Sequence, residues 1–544
     1  MHRLARTAAT ILTLALALAV SAQSGASAAS TQYEAESATI SQGSVATDHT
    51  GYSGSGFVDY TNVAGGYVEW TVTAATAGAA TLALRYANGT TVNRPMDVRV
   101  NGAVVASAKA FAGTGSWDTW ADGTLTATLN AGANTVRATA TTSVGGPNLD
   151  RLTVTTQTGG TGPAVPFGSH LFPYAAGTLK PSGSQATLDQ AVVTYYDKWK
   201  SAFLRQNCGN GWYEVISPDA DHPYVAEGQG YGMVILATMA GADPNAKTAF
   251  DGMVKYMLAH PSVNNADLLA AEQDTSCRSV NGSDSATDGD LDVAYGLLLA
   301  DRQWGSTGTY DYKALAIRHI NAIKASEVNP ATHLTRLGDW STSGDSLYYV
   351  TRSSDWLIGH FRAFRKATGD TAWDTIRTAH QNLITSQQST YAASTGLLAD
   401  FVVNTNTTPK PAPGEVLEDA NDGKYWWNAC RDPWRIGTDA VTSGDAASLA
   451  SARKLSTWIR GKTGGDPSKI AVGYSLGGTQ IESGSEPAFF APFTVAAMTD
   501  SGGQAWLDAL WTKMLNTTFT SSDYYSTSIQ LQVMIVASGN FWTP

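Results

Sequence analysis

Two textures of hydrophobic patterning divide the chain. Between residues 31 and 157, short runs such as "GGYVEWTVTA", "ATLALRYA", "MDVRVNGAVVA" and "NTVRATAT" are rich in Val, Thr and aromatics. Turn residues, Asn101-Gly102 among them, separate these runs. Short strands with turns at this spacing predict an all-β sandwich. From Thr156, "TQTGGTGPAVPFG" reads as a Gly/Thr/Pro linker, placed at 158–167. Over 168–544 the period changes. "ATLDQAVVTYYDKWKSAFLRQ", "AKTAFDGMVKYMLAHP", "LDVAYGLLLADRQWG", "WLIGHFRAFRKATGD" and "AWDTIRTAHQNLITSQQS" carry apolar residues three and four apart. That spacing predicts about ten to twelve helices with substantial loops, arranged as a solenoid or a closed helical toroid.

The N-terminus has a different pattern. In "MHRLARTAATILTLALALAVSAQSGASAAS", Arg3 and Arg6 precede an apolar stretch and then Ala26-Ser27-Ala28. These are the three parts of an export signal, predicting residues 1–28 as a leader cleaved near Ala28 and a secreted protein. No later segment approaches about 18 uninterrupted apolar residues, so no membrane span is expected.

Composition narrows the function classes. The net charge of −11 argues against a nucleic-acid partner, which needs a basic patch. It leans slightly toward a cationic substrate. Sixteen Trp and 22 Tyr supply flat rings of the kind that cover sugar faces or fill cores. Only Cys208, Cys277 and Cys430 are present, so one bridge at most can form. Cys208–Cys277 is the pair to test.

One motif points to serine chemistry. Gly473-Tyr474-Ser475-Leu476-Gly477 fits the G-x-S-x-G elbow of serine hydrolases. That elbow needs a parallel sheet behind it and a His after it in the chain. All nine His lie at or before His380, and the flanking pattern is helical. A serine esterase is therefore rejected as a reading.

Carboxylates gather in three other stretches. "YVAEGQGYGMVILATM" places Glu227 before a Gly-rich turn, where Gly228, Gly230 and Gly232 leave room for something bulky. "DSATDGDLDVAYGLLLADRQWG" places Asp288 at a helix start, where it could equally be a cap. Its acids lack the Gly and Glu that a calcium loop requires. "GEVLEDANDGKYWWNACRDPWRIGTDA" joins Glu415, Glu418, Asp419 and Asp422 to Trp426, Trp427, Arg431, Trp434 and Arg435. Acids, stacking rings and guanidinium forks together suit glycoside hydrolysis, which needs two carboxyl groups flanking the scissile bond.

These three stretches, in this order, resemble glycoside hydrolase family 8, with "SDWLIGHFRAFRKATGD" and "ASGNFWTP" adding to the likeness. The resemblance implies an all-α (α/α)6 barrel over 168–544 and endo-acting, inverting hydrolysis without a catalytic cofactor. Glu227 falls on the family's general acid and Asp288 on the acid that holds the distorted sugar. Arg431 falls on a substrate-contacting Arg, with Tyr231 and Trp434 beside the groove. One large branch of the family has an Asp base three residues before that Arg, where this chain has Asn428. The branch with Asn there takes its base from an inserted loop. That carries the base to Glu418, with Glu415 as runner-up. The branch includes chitosanases, lichenases and cellulases, so β-glucan and chitosan both stand as substrates for a monomeric enzyme. Asp355 in "TRSSDW" could meet a glucosamine ammonium, bond a hydroxyl or cap a helix. Asn428 also leaves room for an inactive carbohydrate-binding protein.

The β-rich segment resembles carbohydrate-binding module family 35, through "YEAE", "GYSGSGFVDY", "GGYVEW", "NRPMDVRVNG" and "GGPNLDRL". That resemblance implies a structural Ca²⁺ on Glu34, Glu36 and Asp150. It also implies sugar contacts from Asn88, Trp117 and Asn148.

Overall fold

The computed structural model describes residues 29–74, 78–130, 132–156, 163–218 and 221–544. The predicted leader (1–28) and the linker stretch 157–162 lie outside the described residues. The chain forms two compact units, Met1–Thr161 and Gly162–Pro544.

The first unit holds eleven described strands: β1 Ala29–Glu34, β2 Thr39–Ser41, β3 Gly43–Ala46, β4 Phe57–Tyr60, β5 Tyr67–Ala74, β6 Gly78–Ala87, β7 Met96–Val100, β8 Ala103–Lys109, β9 Ala121–Leu129, β10 Gly132–Ala140 and β11 Asn148–Thr156. One sheet runs β3-β4-β11-β6-β9, with β1 also on β11, and the other runs β2-β5-β10-β7-β8. Every described pairing in both sheets is antiparallel. The two-residue period decides what is buried. In β5, Val68, Trp70, Val72 and Ala74 point inward, while Glu69, Thr71 and Thr73 do not. Val98, Leu82, Leu84, Val136 and Leu152 complete the same core.

The second unit is helical: α1 Gln185–Phe203, α2 Ala226–Met239, α3 Ala246–Ala259, α4 Thr287–Trp304, α5 Tyr312–Ser326, α6 Ile358–Thr368, α7 Ala372–Thr390, α8 Asp432–Ser443, α9 Ala446–Thr463, α10 Pro487–Phe490, α11 Pro492–Ala497, α12 Gln504–Asn516 and α13 Tyr524–Ala537. Helices α2, α4, α6, α8, α11 and α13 pack in a closed cycle, each on the next and α13 back on α2. Each is backed by one outer helix: α3, α5, α7, α9, α12 and α1 in that order. Two of the inner helices, α2 and α13, are buried on nearly all faces because they are surrounded.

The glycines after Glu227 do not form the turn that the sequence suggests. They lie within α2, and they serve packing rather than open space. A Cβ on Gly230 would sit 2.9 Å from the Gly289 carbonyl oxygen, and one on Gly289 would sit 2.6 Å from the Ala226 carbonyl carbon. Bare backbone at both positions lets α2 and α4 touch.

Cys208 and Cys277 form a disulfide, with Cα atoms 5.7 Å apart, and Cys430 is a buried free thiol. Thr351–Arg352, Phe401–Val403 and Lys410–Pro411 form a small antiparallel sheet. A second, smaller apolar cluster of Leu337, Val350, Phe401 and Ala412, joined by Val416, lies at this sheet.

Candidate active site

The first turns of α2 and α4 place two carboxylates side by side. Glu227 is the second residue of α2 and Asp288 the second of α4. Free N–H groups and the helix dipole favour negative charge at both positions. Arg431 ties them together. Its Nη1 donates to Glu227 Oε2 at 2.5 Å and to Asp288 Oδ2 at 3.2 Å. Tyr524, the first residue of α13, donates its hydroxyl to Glu227 Oε1.

The environment separates these two acids. Burial pushes the Glu227 carboxyl above its ordinary value; Arg431 draws it back, and the Asp288 charge pushes it up again. Burial also acts on Asp288, but Arg352, 3.0 Å from its Oδ1, and then Arg431 outweigh it and hold the group below the usual carboxylate range. One group is thus disposed to keep a proton while its neighbour stays charged.

The third acid comes from a loop. The Glu418 side chain is 40% exposed, and its Oε1 lies 3.8 Å from Arg352 Nη1. Asn428 donates from Nδ2 to Glu418 Oε2 at 2.7 Å and accepts from Arg431 Nη2 at 2.8 Å. The Asn428 amide therefore links Glu418 to the arginine of the acid pair. Glu415 is exposed on the same loop. Below them, Asp400 is fully buried and accepts backbone N–H groups from Trp426, Asn428 and Ala429 at 3.0, 3.0 and 2.7 Å. Burial pushes its carboxyl up to about 7 against these donors.

Several expected sugar contacts are instead structural. Arg431 is 2% exposed, with its donors taken by Glu227, Tyr231, Asp288 and Asn428, so it clamps protein carboxylates rather than substrate. Tyr231 and Trp434, 0% and 3% exposed, pack edge to face beneath the site and present no ring to a sugar. Asp355 is wholly buried and accepts from Arg352 Nε at 3.2 Å. Burial raises it to about 7. Ser475 lies between the short strands Val472–Tyr474 and Gln480–Glu482, and its Oγ accepts from the Thr479 N–H at 3.0 Å. A hairpin turn replaces the strand-to-helix elbow a nucleophile needs.

Sequence reasoning did not assign roles to Arg352, Tyr524 or Asp400. Arg352 stands in the same "TRSSDW" stretch as Asp355, so a search for cations near singled-out acids could have found it. Tyr524 and Asp400 carry no local signal, since their partners are about 300 and 30 residues away along the chain.

In the first unit, Asn88 is buried with its amide fully used. It donates to the Val92 and Phe111 carbonyls and accepts from Thr90 N–H and Oγ1, which ties a loop and leaves nothing for a sugar. Asn148 is likewise buried. Trp117 is half-buried, with Arg94 over its ring at 5.3 Å. The three expected calcium ligands gather about Ser53–Ser55, where Glu34 and Asp150 share the Ser53 hydroxyl at 2.8 and 3.0 Å. Asp150 is also paired with Arg85 and Arg151. Glu36 accepts from the Ser55 N–H at 2.7 Å, and its Oε2 is buried without a partner. Among the described residues no group of three or more His, Cys, Asp or Glu is arranged for a metal ion.

The profile described as "Glycosyl hydrolases family 8" matches residues 180–539, and that described as "Carbohydrate binding module (family 35)" matches 31–156. A protein named Beta-glucanase from Niallia circulans is 45% identical over 382 residues, 70% of this chain and 92% of that protein. An Endoglucanase of Bacillus sp. strain KSM-330 is 40% identical over 380 residues, 68% of this chain and 80% of that protein. The solved apo structure of a Beta-1,3-1,4-glucanase from Paenibacillus sp. X4 is 45% identical, with a TM-score of 0.68, and covers 70% of this chain and 100% of its own.

Proposed function

The chain belongs to the glycosyl hydrolases of family 8 and is a glycosidase preceded by a carbohydrate-binding module, and on that premise we propose a secreted, endo-acting enzyme that cleaves β-1,4 bonds in β-glucan with inversion. The observation that carries the reading is the Glu227–Arg431–Asp288 arrangement, in which burial raises the proton affinity of one carboxyl while Arg352 and Arg431 lower that of the next. Glu227 gives its proton to the leaving oxygen as the C1–O bond breaks. Glu418 takes a proton from the water that attacks C1 from the opposite face. Asp288, held charged by Arg352 and Arg431, faces the positive charge that develops on the sugar ring. Asn428 aims the base and is no sign of a dead site.

The closed cycle of six inner and six outer helices is read as an (α/α)6 barrel. The relatives' names support β-glucan. Asp355, buried against Arg352, offers no carboxylate to an ammonium group, which removes the site-level support for chitosan. Secretion rests on the leader. In the module, Glu34, Asp150 and the unpartnered Glu36 oxygen are the groups that would hold a calcium ion.

Product analysis on lichenan, carboxymethyl-cellulose and chitosan, with anomer detection, tests the proposal. Oligosaccharides released from the first two with the α-anomer appearing first are expected. A β-anomer first overturns inversion, and cleavage of chitosan alone overturns the substrate.

A further inference from the structure

We propose that Asp422 is the positioning residue of the general base: its carboxylate fixes the backbone that carries Glu418. The inference rests on Glu418 being the base.

Residues 413–424 form turns and bends, with no helix or strand beneath Glu418. Something else must hold the base in place. The Asp422 carboxylate, 1% exposed, accepts four consecutive backbone N–H groups. Oδ2 accepts from Val416, Leu417 and Glu418 at 2.8, 2.8 and 3.2 Å. Oδ1 accepts from Asp419 at 3.0 Å. One side chain thus fixes the peptide of the base and those on both sides of it. Charge-assisted bonds to a carboxylate are the stronger class of hydrogen bond.

The backbone of Asp422 links this turn to the rest of the site. Its N–H donates to the Asp419 carbonyl at 3.2 Å, and its carbonyl accepts from the Phe401 N–H at 2.8 Å. The strand Phe401–Val403 pairs with Thr351–Arg352, whose arginine reaches Asp288. The path from base to acid pair therefore has Asp422 as its first joint. Val416 packs into the Leu337 cluster, and Trp426 Nε1 donates to Asp419 Oδ2 at 2.8 Å, which steadies the two ends of the turn. Neither of those contacts holds the Glu418 peptide itself.

An amide at 422 would keep the shape but lose the charge and turn a donor toward at least one N–H group. The base would then sit off its line to the water, while the groove, acid and substrate contacts stay as they are. Misplacement of about 1 Å costs about 100-fold in turnover.

The test uses the full chain. Steady-state kinetics on lichenan are measured for the wild type, Glu418→Ala, Asp422→Asn and Asp422→Ser, with and without sodium azide, beside thermal melting. Azide attacks C1 as the C1–O bond breaks and Glu227 protonates the leaving oxygen, so an α-glycosyl azide forms and no base is needed. Asp422→Asn should lose about 10- to 100-fold in kcat with KM within about threefold, and azide should restore both it and Glu418→Ala. Wild-type turnover in Asp422→Asn, beside an azide-rescued Glu418→Ala, overturns the role of Asp422 and leaves the base standing. Wild-type turnover in Glu418→Ala overturns the base assignment and this inference with it. If Asp422→Asn melts early and azide does nothing, Asp422→Ser decides. The same failure there makes Asp422 a folding residue and overturns the proposal.

Discussion

The two sides of the candidate site are built in opposite ways. Glu227 stands on the first turn of α2, is 16% exposed, and is held by donors from two other elements. Glu418 stands on irregular chain, is 40% exposed, and depends on an amide and on peptides gathered by one carboxylate. The difference suits the roles proposed for the two groups. A general acid needs low dielectric and fixed neighbours to hold its proton, which a packed helix terminus supplies. A base must meet a mobile water, so it needs an open position more than an apolar one.

Separate chemical rescue would break or sharpen that contrast most strongly. Glu227→Gln should lose about 10²–10⁴-fold in turnover on glucan. Much of this should return on an aryl glycoside whose leaving group needs no proton, and azide should not help. Glu418→Ala should fall as far, respond to azide and gain nothing from the aryl leaving group. Crossed responses would mean that the two roles have been exchanged.

A pH profile probes the carboxyl proposed as the acid. The Asp288 charge raises the proton affinity of Glu227. Neutralising it in Asp288→Asn lowers that affinity, and the acid works only while protonated. The alkaline limb of the residual activity should therefore move to lower pH. In Arg431→Met the cation that lowers Glu227 is gone, and the limb should move to higher pH. Limbs that do not move would detach Glu227 from the pH dependence.

Smaller effects belong to the hairpin behind the base loop. Gly473 has φ +74°, and a Cβ there would lie 2.2 Å from the Trp426 ring. Gly473→Ala should cost about 1–3 kcal/mol in denaturant unfolding and lower turnover through the loop. Ser475→Ala removes one hydrogen bond from an exposed turn. Its cost should stay within about 1 kcal/mol, with turnover unchanged.

Legibility followed the same division. Strands of the first unit such as β5, β7 and β10 could be read because each has one dry face. Outer helices such as α1 and α7 could be read because they are amphipathic. Helix α13 has no polar stripe, since it is buried all round, and its span escaped the periodicity reading. Glu227 and Asp288 stood out because their stretches combine acids with glycine, although the glycines proved to serve helix contact. Tyr231 and Trp434 were misplaced because a ring at helical spacing looks the same whether it faces a groove or a core. Asn88 could not be read as saturated, because its partners at Val92 and Phe111 are fixed only by the folded loop. The work of Asp422 was hidden for a similar reason. Four backbone donors leave no mark on the residues that carry them.

The touching backbones of α2 and α4 also bear on how such a site can diverge. With Gly230 against the Gly289 carbonyl and Gly289 against Ala226, neither helix can take on bulk at the crossing without parting from the other. The spacing between Glu227 and Asp288 is a jaw welded at its hinge. New chain lengths and new side chains have more room on the opposite jaw, at the exposed positions of the loop from 404 to 420. A library confined to that loop should yield altered substrate preference far more often than one confined to the first turns of α2 and α4, where substitutions should mostly yield unfolded protein.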